Sequence, residues 1–458
     1  MAIGKRKSTR QQDLWVATSE LTRSAGHPFY ERVNRLLAGA GFDGFVEARC
    51  VKFYAEKMGR PGLAPSVYVR MLLVGYFEGL DSERGIAWRC ADSLALRSFL
   101  GLNLTESPAD HSTVSRTRRL IDLETHAEIF GFVLKLLAEH GLISGKTIGI
   151  DGTTLEANAA MKSIVRRDDG QGYQDFLTSL AKESGIETPT REDLARIDRK
   201  RVKKGSNDDW VNPNDPDAQI TKMKDGSTHL AHKAEHAVDM VTGAVLAVTI
   251  HPGATGDTTS VYETLAVATE NVVALLKDPA VAEKISEQAC EEFVADKGYH
   301  SNDTISALAE METRSYVSEP KRGPRQWHGE TRTRDAVYAN RRRMKGERGK
   351  ALMRRRGEYL ERPFAHCLET GGMRRVHLRR CENIAKRYLV HVAACNLGLL
   401  MRTLFGNGTP RGMRSRAQAV RALARACGRV TTAARTLVSH LADLRTRFLQ
   451  PAQIAVAA

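Results

Sequence analysis

The spacing of apolar residues changes part-way along the chain. Across residues 28–143 they recur every three or four positions, the period of an amphipathic helix. Tyr30, Val33, Leu36 and Leu37 make one stripe, and Phe45, Val46, Val51, Phe53 and Tyr54 a second. Pro65 stands where a helix can begin, ahead of Val67, Met71, Leu72, Leu73 and Tyr76, since a first turn does not need its missing amide hydrogen. Asp81 is placed to cap a helix carrying Ile86, Trp88, Cys90, Leu94, Leu96, Phe99 and Leu100, which Gly101 ends. Asp110 or Ser112 caps another, and a last packed helix covers residues 125–143, stopped by Gly141. An all-α region is expected here.

Beyond residue 144 the pattern turns partly β. Thr147, Ile148 and Ile150 are β-branched, and the run reads as a short buried strand that stops at Asp151-Gly152, a carboxylate before a turn residue. Residues 161–228 are polar and rich in Asn, Asp and Pro, an insertion over the sheet; Thr190 and Asp193 have capping-box spacing for one charged helix. Residues 232–239 and 244–250 read as strands joined by a turn at Gly243, an antiparallel hairpin. A helix over 257–276 follows, then Glu292-Phe-Val-Ala-Asp296, another strand ending in aspartate. Ser301 or Asp303 caps a helix through Ile305, Leu308 and Met311, and 315–318 make a fifth strand. Three strands, helix, strand, helix, strand is the order of a ribonuclease-H-like sheet.

The expected fold class is therefore α/β, a ribonuclease-H-like mixed sheet with flanking helices. An all-α N-terminal domain precedes it and a basic helical tail follows. The expected divisions are a basic arm over 1–27, the helical domain over 28–143, the sheet domain over 144–402 and the tail over 403–458. An apolar helix over 386–400 should cover the sheet.

Composition narrows the function. With 458 residues, 42% hydrophobic and 27% charged, the chain can bury two or three real cores. It holds no run of 18 apolar residues, so no membrane span is expected, and its first residues lack the apolar core of a secretory signal. Seven scattered cysteines without a CxxC pair argue against a disulfide framework or a zinc finger and fit a reducing cytoplasm. The net charge of +15 is concentrated. Residues 320–356 carry fourteen lysines and arginines against three acids, and 410–458 nine arginines against one aspartate, which leaves the remainder net acidic. Two basic blocks on an otherwise acidic chain point to a polyanion, nucleic acid first; the capped helix after Asp110 can enter the major groove of double-stranded DNA or grip its phosphates. Lys321, Arg322, Arg325, Arg341, Arg342, Arg343, Lys345, Arg354, Arg355 and Arg356 are the candidate backbone contacts. Arg116, Arg118 and Arg119, on the helix that Asp110 or Ser112 opens, join them. Trp327 is placed to stack on an unpaired base or, more plainly, to pack.

Two aspartates at the ends of neighbouring strands, with an acid on a later helix, are the requirement for two-metal phosphoryl transfer. Hard Mg²⁺ takes oxygen ligands, and a pair of such ions activates one oxygen and stabilises another. Asp151 and Asp296 are the strand acids. The third is Glu358 or Glu361, with Glu361 preferred because Pro363 fits a helix's first turn and would set Glu361 beside the site. Asp217, Asp239 and Asp257 are rivals, and His229, His232 and His236 lack cysteine partners at zinc-site spacing.

Asp151-Gly-Thr, Asp296-Lys-Gly-Tyr-His-Ser and Glu361-Arg-Pro-Phe resemble the three acidic motifs of DDE transposases from bacterial insertion sequences. The helical region resembles the N-terminal domain common in that group, at Arg60-Pro-Gly-Leu-Ala-Pro, Leu72-Leu-Val-Gly-Tyr, Asp92-Ser-Leu-Ala-Leu-Arg and Asp110-His-Ser-Thr-Val-Ser-Arg. The resemblance implies two Mg²⁺ or Mn²⁺ ions on Asp151, Asp296 and Glu361, recognition of terminal inverted repeats, and strand transfer into target DNA. It also implies a homo-oligomer, a dimer being the simplest, because two element ends must be held together. Related transposases often set a Tyr, an Arg and a Lys at fixed distances around the glutamate. Here Gly357 stands four before Glu361 and Leu368 seven after, which leaves Arg356, Arg374, Arg375 and Lys386 as substitutes. The alternatives are a nuclease of the same fold that does not join, and a DNA-binding regulator that does not cut.

Overall fold

In a computed structural model the described residues are 26–55, 62–201, 205–223, 226–321, 323 and 325–412. The basic arm before residue 26 and the tail beyond residue 412 lie outside them. Apolar stripes in the first 140 residues give seven helices: α1 (Pro28–Gly39), α2 (Phe42–Cys50), α3 (Pro65–Glu78), α4 (Glu83–Asp92), α5 (Leu94–Phe99), α6 (His111–Leu120) and α7 (Leu123–Glu139). Pro65 opens α3, and Asp110 caps α6 by accepting from the Thr113 amide at 2.8 Å. The expected single helix over residues 82–100 is two. Ser93 caps α5 with its side chain and breaks the run, and Ser82 rather than Asp81 caps α4. Asp81 pairs instead with His377 at 3.2 Å.

Six strands form one mixed sheet. β1 (Thr147–Glu156) runs antiparallel to β5 (Thr228–Asp239), which also pairs with β4 (Gln219–Lys222) and β6 (Val245–Pro252). On the other edge of β1, β7 (Glu292–Ala295) and then β8 (Arg314–Val317) add in parallel. The ribbon of β2 (Val165–Arg166) and β3 (Trp210–Val211), with α8 (Tyr173–Glu183) and α9 (Arg191–Lys200), makes the insertion; α9 carries the expected capping box, and α8 was not foreseen. α10 (Asp257–Leu276), α11 (Asn302–Glu310), α12 (Thr331–Lys345), α13 (Glu347–Ala365) and α14 (Cys381–Phe405) complete the described helices. The structure is thus mixed α/β, with fourteen α-helices among the described residues.

Two expectations about the site elements change. β1 does not stop at Asp151. Its backbone stays paired with β5 as far as Glu156, while its pairing with β7 ends at Gly149. An Asp-Gly pair favours a turn, but here ladder bonds to β5 keep it extended. Pro363 does not open a helix either; it lies in the last turn of α13, which runs on into a π turn at His366–Thr370. A proline in that place removes one helical hydrogen bond, and a widened turn is a common accommodation.

Sheet alternation decides what faces what. His236, opposite Asp151 in the register, stacks on Phe364 of α13 at 4.1 Å and bonds the Tyr388 hydroxyl of α14 at 3.1 Å. Its neighbour Glu235 faces the other way, toward Ser260 and Thr264 of α10. α14 packs on α3, α7 and β6, so the helical region and the sheet share one continuous apolar cluster. By length and hydropathy α14 alone among the described helices could cross a bilayer, but 61% of its apolar window is buried inside the protein.

Three buried histidines make the core acid-sensitive. Burial lowers His126 to about 4, and His236 and His391 to about 3, from an ordinary 6.5. Each folded-state value lies below the unfolded one, so the unfolded chain binds the protons more readily. Their contribution is complete above pH ~6.5 and shrinks as pH falls toward 4 and 3, by ~1.4 kcal/mol per pH unit for each. Urea unfolding at pH 7.5 and pH 5 should show a clearly lower midpoint at pH 5. Coincident curves would mean that these imidazoles are solvated.

Candidate active site

Asp151 and Asp296 are brought together by strand register. Thr147 pairs with Glu292 and Gly149 with Val294, so continuing the parallel register sets Asp151 beside Asp296, just past the end of β7. One guanidinium nitrogen of Arg356, on α13, lies 3.1 Å from Asp151 Oδ2 and 3.6 Å from Asp296 Oδ2. The two carboxylate oxygens are therefore no farther apart than those two distances combined. Asp296 Oδ1 is occupied by the Gly298 amide at 2.8 Å, in the turn at Lys297–Tyr299.

The glycines after the two aspartates make room for a polar layer on the opposite sheet face. A Cβ on Gly152 would meet Lys233 Cε at 2.8 Å, and one on Gly298 would meet Asp257 Oδ2 at 2.3 Å and Asp296 Oδ1 at 3.0 Å. Lys233 bridges Asp257 at 2.7 Å and Glu235 at 3.0 Å. Glu235, fully buried, also accepts from the Tyr299 hydroxyl at 2.8 Å, from Ser260 at 2.7 Å and from Thr264 at 2.5 Å. Burial, then the Glu235 and Asp257 charges, push the Tyr299 hydroxyl far above its ordinary range, so it stays a donor. Asp151, Asp296, Asp257 and Glu235 outnumber Arg356 and Lys233, a local excess of negative charge that attracts cations.

Sequence reasoning missed Lys233, Glu235 and Tyr299 and ranked Asp257 as a rival only. The signal was Lys233 and Glu235 at strand spacing on one face, opposite the small residue of Asp151-Gly152. The rivals Asp239 and Asp217 are structural. Asp239 accepts the amides of Ser144, Gly145, Val241 and Thr242, and Asp217 accepts that of Cys381.

Glu361 lies on α13 between Arg356, which holds Asp151, and Phe364, stacked on Asp151's register partner His236. Tyr359, Arg362, Pro363 and His366 form the flank of α13 that faces the Thr242-Gly243 turn, at the amino end of β1. At 3.6 residues per turn Glu361 projects from the opposite flank, on the side of the carboxyl end of β1. It is exposed and makes no hydrogen bond or ion pair with the described residues. Glu358 pairs with Arg362. Among the described residues no three His, Cys, Asp or Glu side chains already converge on one cation position.

The candidate phosphate contacts divide sharply. Arg116, Arg119, Lys321, Arg342, Lys345, Arg354, Arg355, Arg374 and Arg375 are exposed. Several others are spent internally, which corrects their expected exposure. Arg118 is buried against Glu83; Arg325 and Arg341 hold Glu319; Arg343 bonds Ser315; Lys386 is buried and pairs with the exposed Glu382. Arg322 lies outside the described residues. Trp327 packs partly against the core. Among the three histidines, His232 lies 3.5 Å from Cys381, distant in sequence, and bonds buried Asp215 at 3.1 Å.

Residues 19–120 match a family model described as a transposase domain (DUF772). The match supports a transposase family. No curated protein and no solved structure matches the chain. The transposase-domain match takes in α1 to α6, with exposed Arg116 and Arg119, and ends before all three acids.

Proposed function

We propose that this chain is a DDE transposase of an insertion sequence, cutting phosphodiesters at its element's ends and joining the freed 3′-hydroxyl to target DNA. The observation that carries the reading is the meeting of Asp151 and Asp296. They are 145 residues apart in sequence and share one cation where parallel β1 and β7 diverge. The transposase-domain match supports it independently. So does the sheet, in which four antiparallel strands, β1, β4, β5 and β6, precede two, β7 and β8, that add in parallel on the other edge of β1, an arrangement consistent with a ribonuclease-H-like core.

The donor set suits Mg²⁺ or Mn²⁺. Its atoms are hard carboxylate oxygens, and a guanidinium lies between two of them as a cation stand-in. Asp151, Asp296 and Glu361 would hold the ions, two in this reading. Bound there, the ions would polarise the scissile phosphate and activate the attacking oxygen. The chain's own residues do the rest. Lys233 and Tyr299 hold Asp257 and Glu235 behind the pair, and the exposed arginines of α6, α12 and α13 bind the DNA backbone. Two copies would hold two ends. In this reading the protein acts in the cytoplasm, on the nucleoid.

A labelled duplex carrying the element's terminal repeat tests this directly. With Mg²⁺ the protein should nick the repeat's outer boundary, and a pre-cut end should become joined to plasmid DNA. Nicking without joining would leave a nuclease; binding with neither would leave a regulator. Arg356 adds a test that needs no turnover. Arg356→Gln should tighten Mn²⁺ binding about fivefold, the worth of ~1 kcal/mol of competing ion pair, measured by electron paramagnetic resonance. Weaker binding would show that Arg356 does not compete for the cation position.

A further inference from the structure

Five residues beyond Asp151, β1 ends in the floor of a cleft of about 760 Å³ that the carboxylate pair does not use. Its walls are made by the insertion, at the Met161–Ser163 turn, Asn212 and Asn214, and by the segment that carries Arg375 and Arg379. The walls are firmly tied. The Glu156 amide donates to the Arg374 carbonyl at 3.3 Å, and that of Val376 to the Glu156 carbonyl at 2.9 Å. Asn158 donates to the His377 carbonyl at 3.1 Å, and the Arg380 amide to buried Asp215 at 2.9 Å. Buried Asn212 joins Ser163 to the Asn214 and Asp215 amides. The cleft is therefore built into the fold.

Its lining is cationic. Among the described lining residues Glu156 is the single acid, facing Arg375 at 3.8 Å and His229 at 4.0 Å. Lys162, from the insertion, and Arg379, from the segment before α14, are exposed and have no acidic partner among the described residues. Exposed cations lining an open trough suit a chain of phosphates that passes along it. β1 sets the spacing. Five residues at ~3.4 Å each give about 17 Å, which is about five base pairs of a duplex rising 3.4 Å per pair.

We propose that this cleft grips the phosphodiester backbone of DNA about five nucleotides from the phosphate at Asp151 and Asp296, with Lys162 and Arg379 as its principal contacts. The insertion then serves as one jaw of a DNA clamp. The proposal rests on reading that carboxylate pair as the cleavage site.

The test uses the full chain, the double variant Lys162→Glu with Arg379→Glu, and its milder double-alanine counterpart. Terminal-repeat duplexes would extend ten base pairs past the cleavage point on both sides, or be cut back to two on the side away from the repeat. Fluorescence anisotropy should show about tenfold weaker binding of the long duplex by the charge-reversed protein, and little change for the short one. The double-alanine protein should lose about two from the slope of log affinity against log salt, one per phosphate contact. Equal losses on both duplexes, or an unchanged salt slope, would overturn the cleft. Displacement of the long duplex by millimolar inorganic phosphate alone would also overturn it, as a single-anion site. These readouts need no cleavage. A cutting Asp151→Asn protein would therefore sink the carboxylate assignment, and a length-independent binding loss would sink the cleft.

Discussion

Asp151→Asn should lose strand cleavage by more than about 10²-fold, with duplex affinity kept within about twofold. Mutating the outer-shell partners of a metal site typically costs 10–100-fold, and a carboxylate that itself holds the ion must cost more. Asparagine keeps the size of the side chain and its contact with the Gly152 amide, which lies 2.9 Å from Oδ1. The fold should therefore survive, and a thermal melt beside the gel assay would verify that. Asp296→Asn should behave alike, because the same guanidinium nitrogen bridges both groups. If Asp151→Asn cut DNA at a tenth of the wild-type rate, the carboxylate pair would not be the catalytic centre.

Glu235→Ala should have the largest effect on stability, roughly 3–5 kcal/mol by urea unfolding. That is the usual consequence of removing one partner of a buried ion pair. The carboxylate is wholly buried and accepts from Lys233, Ser260, Thr264 and Tyr299. Deleting it removes the acceptor that these four donors share beneath the site. Glu235→Gln keeps an acceptor and should cost less, about 1–3 kcal/mol. Both variants should also slow cleavage, since Lys233 would be left to Asp257 alone and Asp257 flanks Asp296. A loss under 1 kcal/mol for the alanine variant would mean that water replaces the carboxylate and the layer is solvated.

Much of this arrangement was legible in the chain, and the errors have a common cause. Hairpin, helix and strand limits over residues 232–317 follow local chemistry, and α10 spans the residues expected of it. Asp151 was expected at a strand end because Asp-Gly commonly turns, but β5 lies alongside and the strand continues. Pro363 was expected to start a helix, yet α13 begins sixteen residues earlier, at Glu347. In the basic block, charge was visible and exposure was not. Arg325 and Arg341 meet Glu319, and Arg356 meets two aspartates.

The amino-acid order by itself determined most of the helical and extended segments outside the insertion and the basic block. Periodicity, caps and turn residues act within a few positions of one another, so the list of acids and the two basic blocks could be drawn up before any fold was known. Only the tertiary structure decided partnership. Which acid stands beside Asp151, which arginines face solvent and which glycines admit Lys233 and Asp257 depend on strand register and helix docking. Those are set by burial summed over residues far apart in the chain.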